Sequence, residues 1–232
     1  MEYSTGNIET ETIWSKVYEA DSFLLSEQRY YGSTNDNVIT LEGNTLKGGY
    51  RRPGVASSQR NLTIFSANNS VIIKGMEGDD VFKVTSLYAM NTTIEGGSGI
   101  DVLDFSGYKG TAKLVFEVQS DNSIKVNLGG KTLIAKGIEK IIGSSKEDIV
   151  SFVKKDVSMS FVLEGNQIKA NEGNSLLLSL SNIEYLVGTQ KSDQFIIKKG
   201  TAGITIDGNS NQYLSDIDTI DLSDWEDRKS VV

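Results

Sequence analysis

The sequence predicts an all-β chain, wound as a parallel β-roll or β-helix solenoid with a short N-terminal cap. Three observations predict it. A glycine-rich loop, closed by an aspartate and followed at once by a short apolar strand, is most complete in Gly96-Gly97-Ser98-Gly99-Ile100-Asp101-Val102-Leu103. Shorter versions recur at Gly75-Met76-Glu77-Gly78-Asp79-Asp80, Gly143-Ser144-Ser145-Lys146-Glu147-Asp148 and Gly188-Thr189-Gln190-Lys191-Ser192-Asp193, each with an Asp five residues after a Gly. Second, Ile138-Glu139-Lys140-Ile141-Ile142-Gly143 is echoed by Ile183-Glu184-Tyr185-Leu186-Val187-Gly188, a period of 183 − 138 = 45 residues that keeps Asp148 and Asp193 at one offset. Third, residues 217–223 repeat residues 100–106 with both Asp positions kept. Self-similarity of this kind is the mark of stacked repeats, each a loop plus a strand that buries its apolar face on its neighbours.

The elements follow in order. Residues 1–30 read as a cap or linker: Ile13, Trp14, Val17, Tyr18 and Phe23 fall near helical spacing after Thr10 and Thr12 as N-cap candidates. A stack of strands needs such a cover, because its last step would otherwise expose core and strand edge. Residues 31–232 form the β-solenoid domain. Within it, 38–41, 62–65, 71–73, 81–84, 102–105 and 114–118 are short apolar runs rich in Val, Ile, Leu and Phe, bounded by Gly, Asn or Ser. The 45-residue units each begin with a strand pair, 113–118 with 124–127 and 160–163 with 167–170, joined by polar turn residues. Such a pair reads as a hairpin or as two successive turns. Spacings of about ten residues also suit a sandwich; the repeats favour the solenoid.

Composition narrows the chemistry. The chain of 232 residues has no His and no Cys, which removes Ser–His and Cys–His nucleophile pairs, histidine zinc sites and disulfides. Gly is abundant at 23 and Pro occurs once, at Pro53, so turns fall to Gly, Asn, Asp and Ser. A formal net charge of −8 argues against general nucleic-acid binding and suits a cation-binding surface. No apolar run approaches the roughly 18 residues of a membrane span. The start, Met1-Glu2-Tyr3-Ser4, has neither the basic nor the apolar region of a signal peptide.

The loop-and-strand motif at 96–106 resembles the calcium-binding nonapeptide repeats of the hemolysin-type, or RTX, proteins of bacteria. The stretches 96–108 and 138–150 look most like the C-terminal β-roll of serralysin-type secreted proteins, and the likeness covers roughly residues 70–225. It implies a parallel β-roll, secretion without an N-terminal signal peptide, and calcium-assisted folding outside the cell. It does not imply protease activity, since the histidines of a serralysin-type zinc site are missing. The family loop runs Gly, Gly, any residue, Gly, any residue, Asp. Only 96–101 meets it in full; Met76 replaces the second Gly, Lys146 and Lys191 replace the later one, and the two best loops are 101 − 80 = 21 residues apart. A Lys there takes away the residue free to adopt positive φ and sets a cation beside a cation site.

Calcium takes six to eight oxygens from carboxylates, carbonyls and water. One glycine loop is a half-site, so the candidate metal residues are Gly75, Glu77, Gly78 and Asp80 paired with Gly96, Ser98, Gly99 and Asp101. Asp80 and Asp101 supply the charge and Asp79 or Glu77 assists. Asp216, Asp218 and Asp221 are a second candidate set, its loop interrupted by residues 212–214. Extracellular calcium modules bind with Kd of about 0.1–1 mM, so about 1 mM calcium adds only about 0.4–1.4 kcal/mol per site. Apolar burial must carry most of the stability.

Other groups have plainer readings beside the functional ones. Lys47, Tyr50, Arg51, Arg52 and Arg60 suit an anionic partner, or a solvated loop. Trp14, Tyr30, Tyr31, Tyr108 and Trp225 suit sugar stacking, or packing. Paired acids such as Asp101 and Asp104 sit on repeat positions, which fits structure better than glycosidase chemistry. The function these features imply is a non-catalytic module of a secreted toxin or adhesin, part of a larger chain. It would fold with calcium and present a surface to a host-cell glycan, lipid or protein receptor. The alternatives are a lyase-like β-helix enzyme on acidic polysaccharide and a calcium-free structural spacer.

Overall fold

A computed structural model describes residues 9–11, 28–32, 34–43, 45–50, 59–63, 70–87, 91–128, 130–201, 203–209 and 215–225. Strands β1 (Glu9–Glu11), β2 (Gln28–Tyr31) and β3 (Asn37–Gly43) lead into β4 (Thr45–Tyr50), β5 (Gln59–Thr63), β6 (Ser70–Glu77) and β7 (Val81–Leu87). Next come β8 (Asn91–Ser98), β9 (Val102–Asp104), β10 (Val115–Val118), β11 (Ile124–Leu128), β12 (Lys131–Lys136), β13 (Lys140–Ile142) and β14 (Ile149–Ser151). The chain continues through β15 (Met159–Glu164), β16 (Gln167–Glu172), β17 (Ser175–Ser181), β18 (Tyr185–Val187), β19 (Gln194–Ile197), β20 (Thr205–Asp207) and β21 (Thr219–Asp221). Among the described residues there is no helix.

The strands form two mixed sheets. One runs β1-β2-β6-β8-β12-β11-β10-β14-β18-β20, the other β21-β19-β15-β16-β17-β13-β9-β7-β3-β4-β5. Parallel pairing carries the chain from β2 to β6 to β8 to β12, from β3 through β7, β9 and β13 to β17, from β10 through β14 and β18 to β20, and from β15 through β19 to β21. Three antiparallel meanders, β3-β4-β5, β10-β11-β12 and β15-β16-β17, are spliced between the parallel runs. The stack expected to be parallel through the solenoid domain is therefore mixed. The two strand pairs read as hairpins or successive turns are antiparallel hairpins, β10 with β11 and β15 with β16.

Period-two patterning makes these segments strands. In β15, Met159, Phe161 and Leu163 point into the core while Ser160 and Val162 face outward. The expected runs at 38–41, 71–73 and 81–84 lie inside β3, β6 and β7, while 102–105 and 114–118 overlap β9 and β10. Of 62–65, only 62–63 belong to β5, and 64–65 lie outside the described residues. The helical cap around Ile13, Trp14, Val17, Tyr18 and Phe23 also lies outside them, whereas β1 and β2, within 1–30, join the ten-stranded sheet.

The inward faces share one core. Phe105, just after β9, meets Phe116 of β10 edge to face with centroids 5.3 Å apart, and Phe152, just after β14, meets Phe161 at 5.0 Å. These contacts join the two sheets. Phe161 then stacks on Phe195 of β19 at 5.2 Å. Each such ring removes enough apolar surface from water to stabilise the fold by roughly 1.5–3 kcal/mol.

One charged side chain is buried beside this core. Lys155 is 5% exposed, and its Nζ donates to Asn122 Oδ1 at 2.6 Å and to Glu172 Oε2 at 2.7 Å. It ties the β10–β11 turn to β16, bridging two meanders. Lys155→Met keeps the apolar stem and removes the donor, so a loss of about 1–2 kcal/mol in urea unfolding is expected. No loss would show that the clamp contributes nothing.

Candidate cation site

The site is built from the turns that precede the strands. In each, the closing acid folds inward, and its carboxylate caps the backbone N–H of the residue that opens, or immediately precedes, a neighbouring strand. Asp80 Oδ1 accepts from Asn37 N at 2.7 Å, Asp101 Oδ1 from Asp80 N at 2.9 Å, and Glu139 Oε2 from Asp101 N at 2.8 Å. The same contact joins Leu114 to Asp148, Asp148 to Glu184, Met159 to Asp193 and Asp193 to Asp218, at 2.8–2.9 Å. Asp80, Asp101 and Asp148 are 0% exposed and Asp193 is 2% exposed. A hydrogen bond from a backbone donor to a buried carboxylate is stronger than one between neutral groups, so the acids hold the strands in register.

The Gly that starts each turn is set by the same packing. A Cβ on Gly75 would lie 2.1 Å from Asp80 Oδ2 and 2.4 Å from Gly96 O; on Gly96, 2.4 Å from Asp101 Oδ2 and 2.0 Å from Gly137 O. The Asp is five residues on because that is the length of loop that returns its carboxylate over the glycine.

The second carboxylate oxygen separates the turns into two kinds. Asp148 Oδ2 accepts from Ser144 N, and Asp193 Oδ2 accepts from Thr189 N at 2.6 Å. Both turns are satisfied from within. Asp80 Oδ2 and Asp101 Oδ2 are buried with no hydrogen-bond partner. At the position of Ser144 and Thr189 these two turns carry Met76 and Gly97, with φ of 86° and 122°. In that left-handed conformation neither N–H reaches the aspartate. Gly97 suits it because a Cβ there would lie 1.7 Å from Met76 O; Met76 adopts it with a side chain, an uncommon and costly state.

Each of these buried carboxylate oxygens has a carbonyl oxygen as a neighbour around a glycine, Gly96 O near Asp80 at Gly75 and Gly137 O near Asp101 at Gly96. Acceptors facing acceptors need a proton or a cation between them. Burial pushes the Asp80 carboxyl up to about 6, against the hydrogen bonds from Asn37 and with help from Asp36 and Asp79. Burial likewise raises Asp101 to about 6, opposed by the Asp80 N–H and assisted by the charges of Asp80, Glu139 and Asp79. Asp193 is also raised by burial.

The sign of the resulting pH dependence follows. A carboxyl whose folded value lies above its unfolded one holds its proton better in the folded state. Its stabilising contribution is complete below the unfolded value near 4 and is lost as pH rises through about 6. In EDTA the protein is expected to gain roughly 1–3 kcal/mol between pH 7 and pH 5, read from urea midpoints. Stability that stays level or falls over this interval would show that burial does not raise the two carboxyls.

The remaining candidate residues are placed as follows, Asp216 lying half-buried in the segment that leads into β21. Glu77 and Ser98 are exposed and paired in register across β6 and β8, and Gly78 N donates to Ser98 O at 2.9 Å. Gly99 lies against Gly78 O, where a Cβ would come to 2.2 Å. Asp79 Oδ1 accepts from Ile100 N and Asp36 Oδ1 from Asp79 N, an outer ladder beside the buried one. Asp218 caps Asp193, while Asp221 Oδ1 accepts from Ser223 N at 2.8 Å, which holds its carboxyl below the usual range. Among the described residues no three acidic side chains converge as a metal cluster, so a cation at Asp80 and Asp101 would rest on two carboxylates plus backbone oxygen.

Lys47 is engaged by Glu42 at 2.5 Å, and Lys109 binds the same carboxylate at 2.6 Å. Tyr50 and Arg60 lie on β4 and β5, and Arg51 and Arg52 lie outside the described residues. Tyr108 packs edge-on to Phe105 and Trp225 Nε1 donates to Ile197 O at 2.9 Å. Both aromatics have structural partners. Tyr30 and Tyr31 belong to β2, and Trp14 lies outside the described residues.

Three parts of the site went unread in the sequence. Gly32 precedes Asn37 by five residues, an Asn version of the motif. Glu139 and Glu184 act as caps, signalled only by their place in the 45-residue repeat. Ser144 and Thr189 supply the donors that quiet their turns.

Comparison with family models, with curated proteins and with solved structures finds no match. Among the described residues no helix is long and apolar enough to cross a membrane.

Proposed function

We propose that this chain is a β-solenoid module of the RTX type, non-catalytic, in which Asp80 and Asp101 hold one calcium ion that helps it fold after export. The observation that carries this reading is that Asp80 Oδ2 and Asp101 Oδ2 are buried without hydrogen-bond partners, each with a glycine carbonyl as a neighbour. Calcium would replace the missing donors with charge that suits both carboxylate and carbonyl oxygen. The solenoid reading is supported by the parallel runs and by caps that recur from turn to turn; the meanders are insertions into it. Each acid of the repeat is occupied with a backbone N–H, which favours a module over an enzyme. Secretion, a place in a larger toxin or adhesin, and a host-cell receptor belong to the same reading.

A calcium-free spacer is the second reading. It is favoured by the turns at Asp148 and Asp193, which are complete without a metal. Melting followed by circular dichroism separates the two. Millimolar calcium is expected to raise the Tm of the wild type over that in EDTA by a few degrees, consistent with about 1 kcal/mol. Asp101→Asn keeps an oxygen for the Asp80 N–H but halves the site's charge, so the rise should vanish. Asp193→Ala should lower the Tm and leave the rise intact. Identical wild-type melting in calcium and in EDTA discards the calcium site and promotes the spacer.

A further inference from the structure

The caps form three ladders, and two of them close. Asp80 and Asp101 are followed by Glu139, and Asp148 by Glu184. Each Glu also returns its own N–H to the Asp before it: Glu139 N to Asp101 O at 3.1 Å and Glu184 N to Asp148 O at 3.2 Å. The Glu thus ends a ladder, needing no further cap. Both arrive in the same setting, after a left-handed residue (Gly137, φ 58°; Asn182, φ 54°) and a buried isoleucine. The third ladder runs from Met159 to Asp193 to Asp218 and, among the described residues, stops on an Asp.

The strand beyond Asp218 stops in the same way. The residue two places after each capping acid is a core residue: Phe82, Leu103, Ile141, Val150 and Leu186 are 0% exposed and Phe195 is 1% exposed. Ile220 holds that place after Asp218, in register with Phe195, yet is 62% exposed. Ile217, Leu222 and Trp225 beside it are 66%, 52% and 47% exposed. Among the described residues β21 is the last strand of its sheet. Thr219 gives its N–H to Asp193 O, so the pleat turns the N–H of Ile220 toward the open edge.

We propose that the open edge of β21 docks an extended strand of another polypeptide with the sequence chemistry apolar-Glu-any-apolar. The strand would add in parallel, its Glu capping Asp218 N, its N–H groups answering Asp218 O, and its second apolar residue covering Ile220. This is strand addition continuing the chain's own ladder. A folded second copy is not the occupant, because its two segments of this kind, at Ile138-Glu139 and Ile183-Glu184, are already engaged and their isoleucines are 6% and 3% exposed.

The probe is a capped peptide of residues 182–188, Asn-Ile-Glu-Tyr-Leu-Val-Gly, added to the full chain. Saturable binding by calorimetry is expected, with slowed hydrogen exchange at the Ile220 amide. The peptide with Glu changed to Ala should bind roughly tenfold more weakly. Ile220→Ser in the protein should weaken binding similarly without moving the Tm, since that side chain is exposed. The proposal is overturned if the peptide does not bind or if its Glu is dispensable. It is equally overturned if the Ile220 amide is already protected without peptide. Protection independent of concentration would mean the chain covers its own edge, and protection that grows with concentration would mean a second copy does.

Discussion

Gly96→Ala is expected to cost about 3–5 kcal/mol, enough to unfold much of a marginally stable domain. The new methyl would lie 2.0 Å from Gly137 O and 2.4 Å from Asp101 Oδ2. Neither atom is the far end of a flexible side chain. Gly137 O belongs to backbone that directly follows the β8–β12 pairing, and the Asp101 carboxylate is held by the Asp80 N–H. Relief requires separating the strands or turning the carboxylate out, and turning it out leaves a buried donor uncapped. Gly107→Ala is the matched control. Its Cβ would meet only Thr85 Cγ2, at an ordinary 3.4 Å, so a change within about 0.5 kcal/mol is expected. Equal urea midpoints for the two variants would mean that the close approach at Gly96 carries no weight.

Asp148→Ala should destabilise by about 2–5 kcal/mol, because two backbone donors, Leu114 N and Ser144 N, lose a buried charged acceptor together. Asp101→Asn in EDTA should do the reverse and raise the Tm. Its Oδ1 can still cap Asp80 N, and its amide nitrogen replaces an oxygen that has no donor and lies beside Gly137 O. Opposite signs at two positions of one motif test whether the second oxygen decides the turn's character. If both substitutions destabilise alike, the two kinds of turn are one. The same pair of variants separates a structural acid from a cation ligand, since only Asp101 should change its rank on adding calcium.

Much of this was legible in local sequence. The Gly-to-Asp interval marked the capped turns, because a loop that folds a carboxylate back over its own glycine is a short-range arrangement. The echo of 100–106 in 217–223 has a local cause as well: Asp104 and Asp221 each accept the N–H two residues on, from Ser106 and Ser223. The objection to calcium at Lys146 and Lys191 rested on charge and on glycine. The tertiary structure adds a nearer reason, the N–H groups of Ser144 and Thr189. Asn37 was missed because an amide stands where the motif has an acid, although the interval from Gly32 is the same.

Alternation of apolar residues and the spacing of Gly and Asp determined the β class, most strand positions and the aspartates that close the turns, since each depends on neighbours within about ten residues. Only the tertiary structure decided which way neighbouring strands run, because a parallel step and a hairpin expose the same period-two pattern. It alone paired each carboxylate with a donor 21 to 43 residues away. It also left Asp80 and Asp101 with one oxygen unanswered, a property of strand register and peptide orientation that no single turn contains.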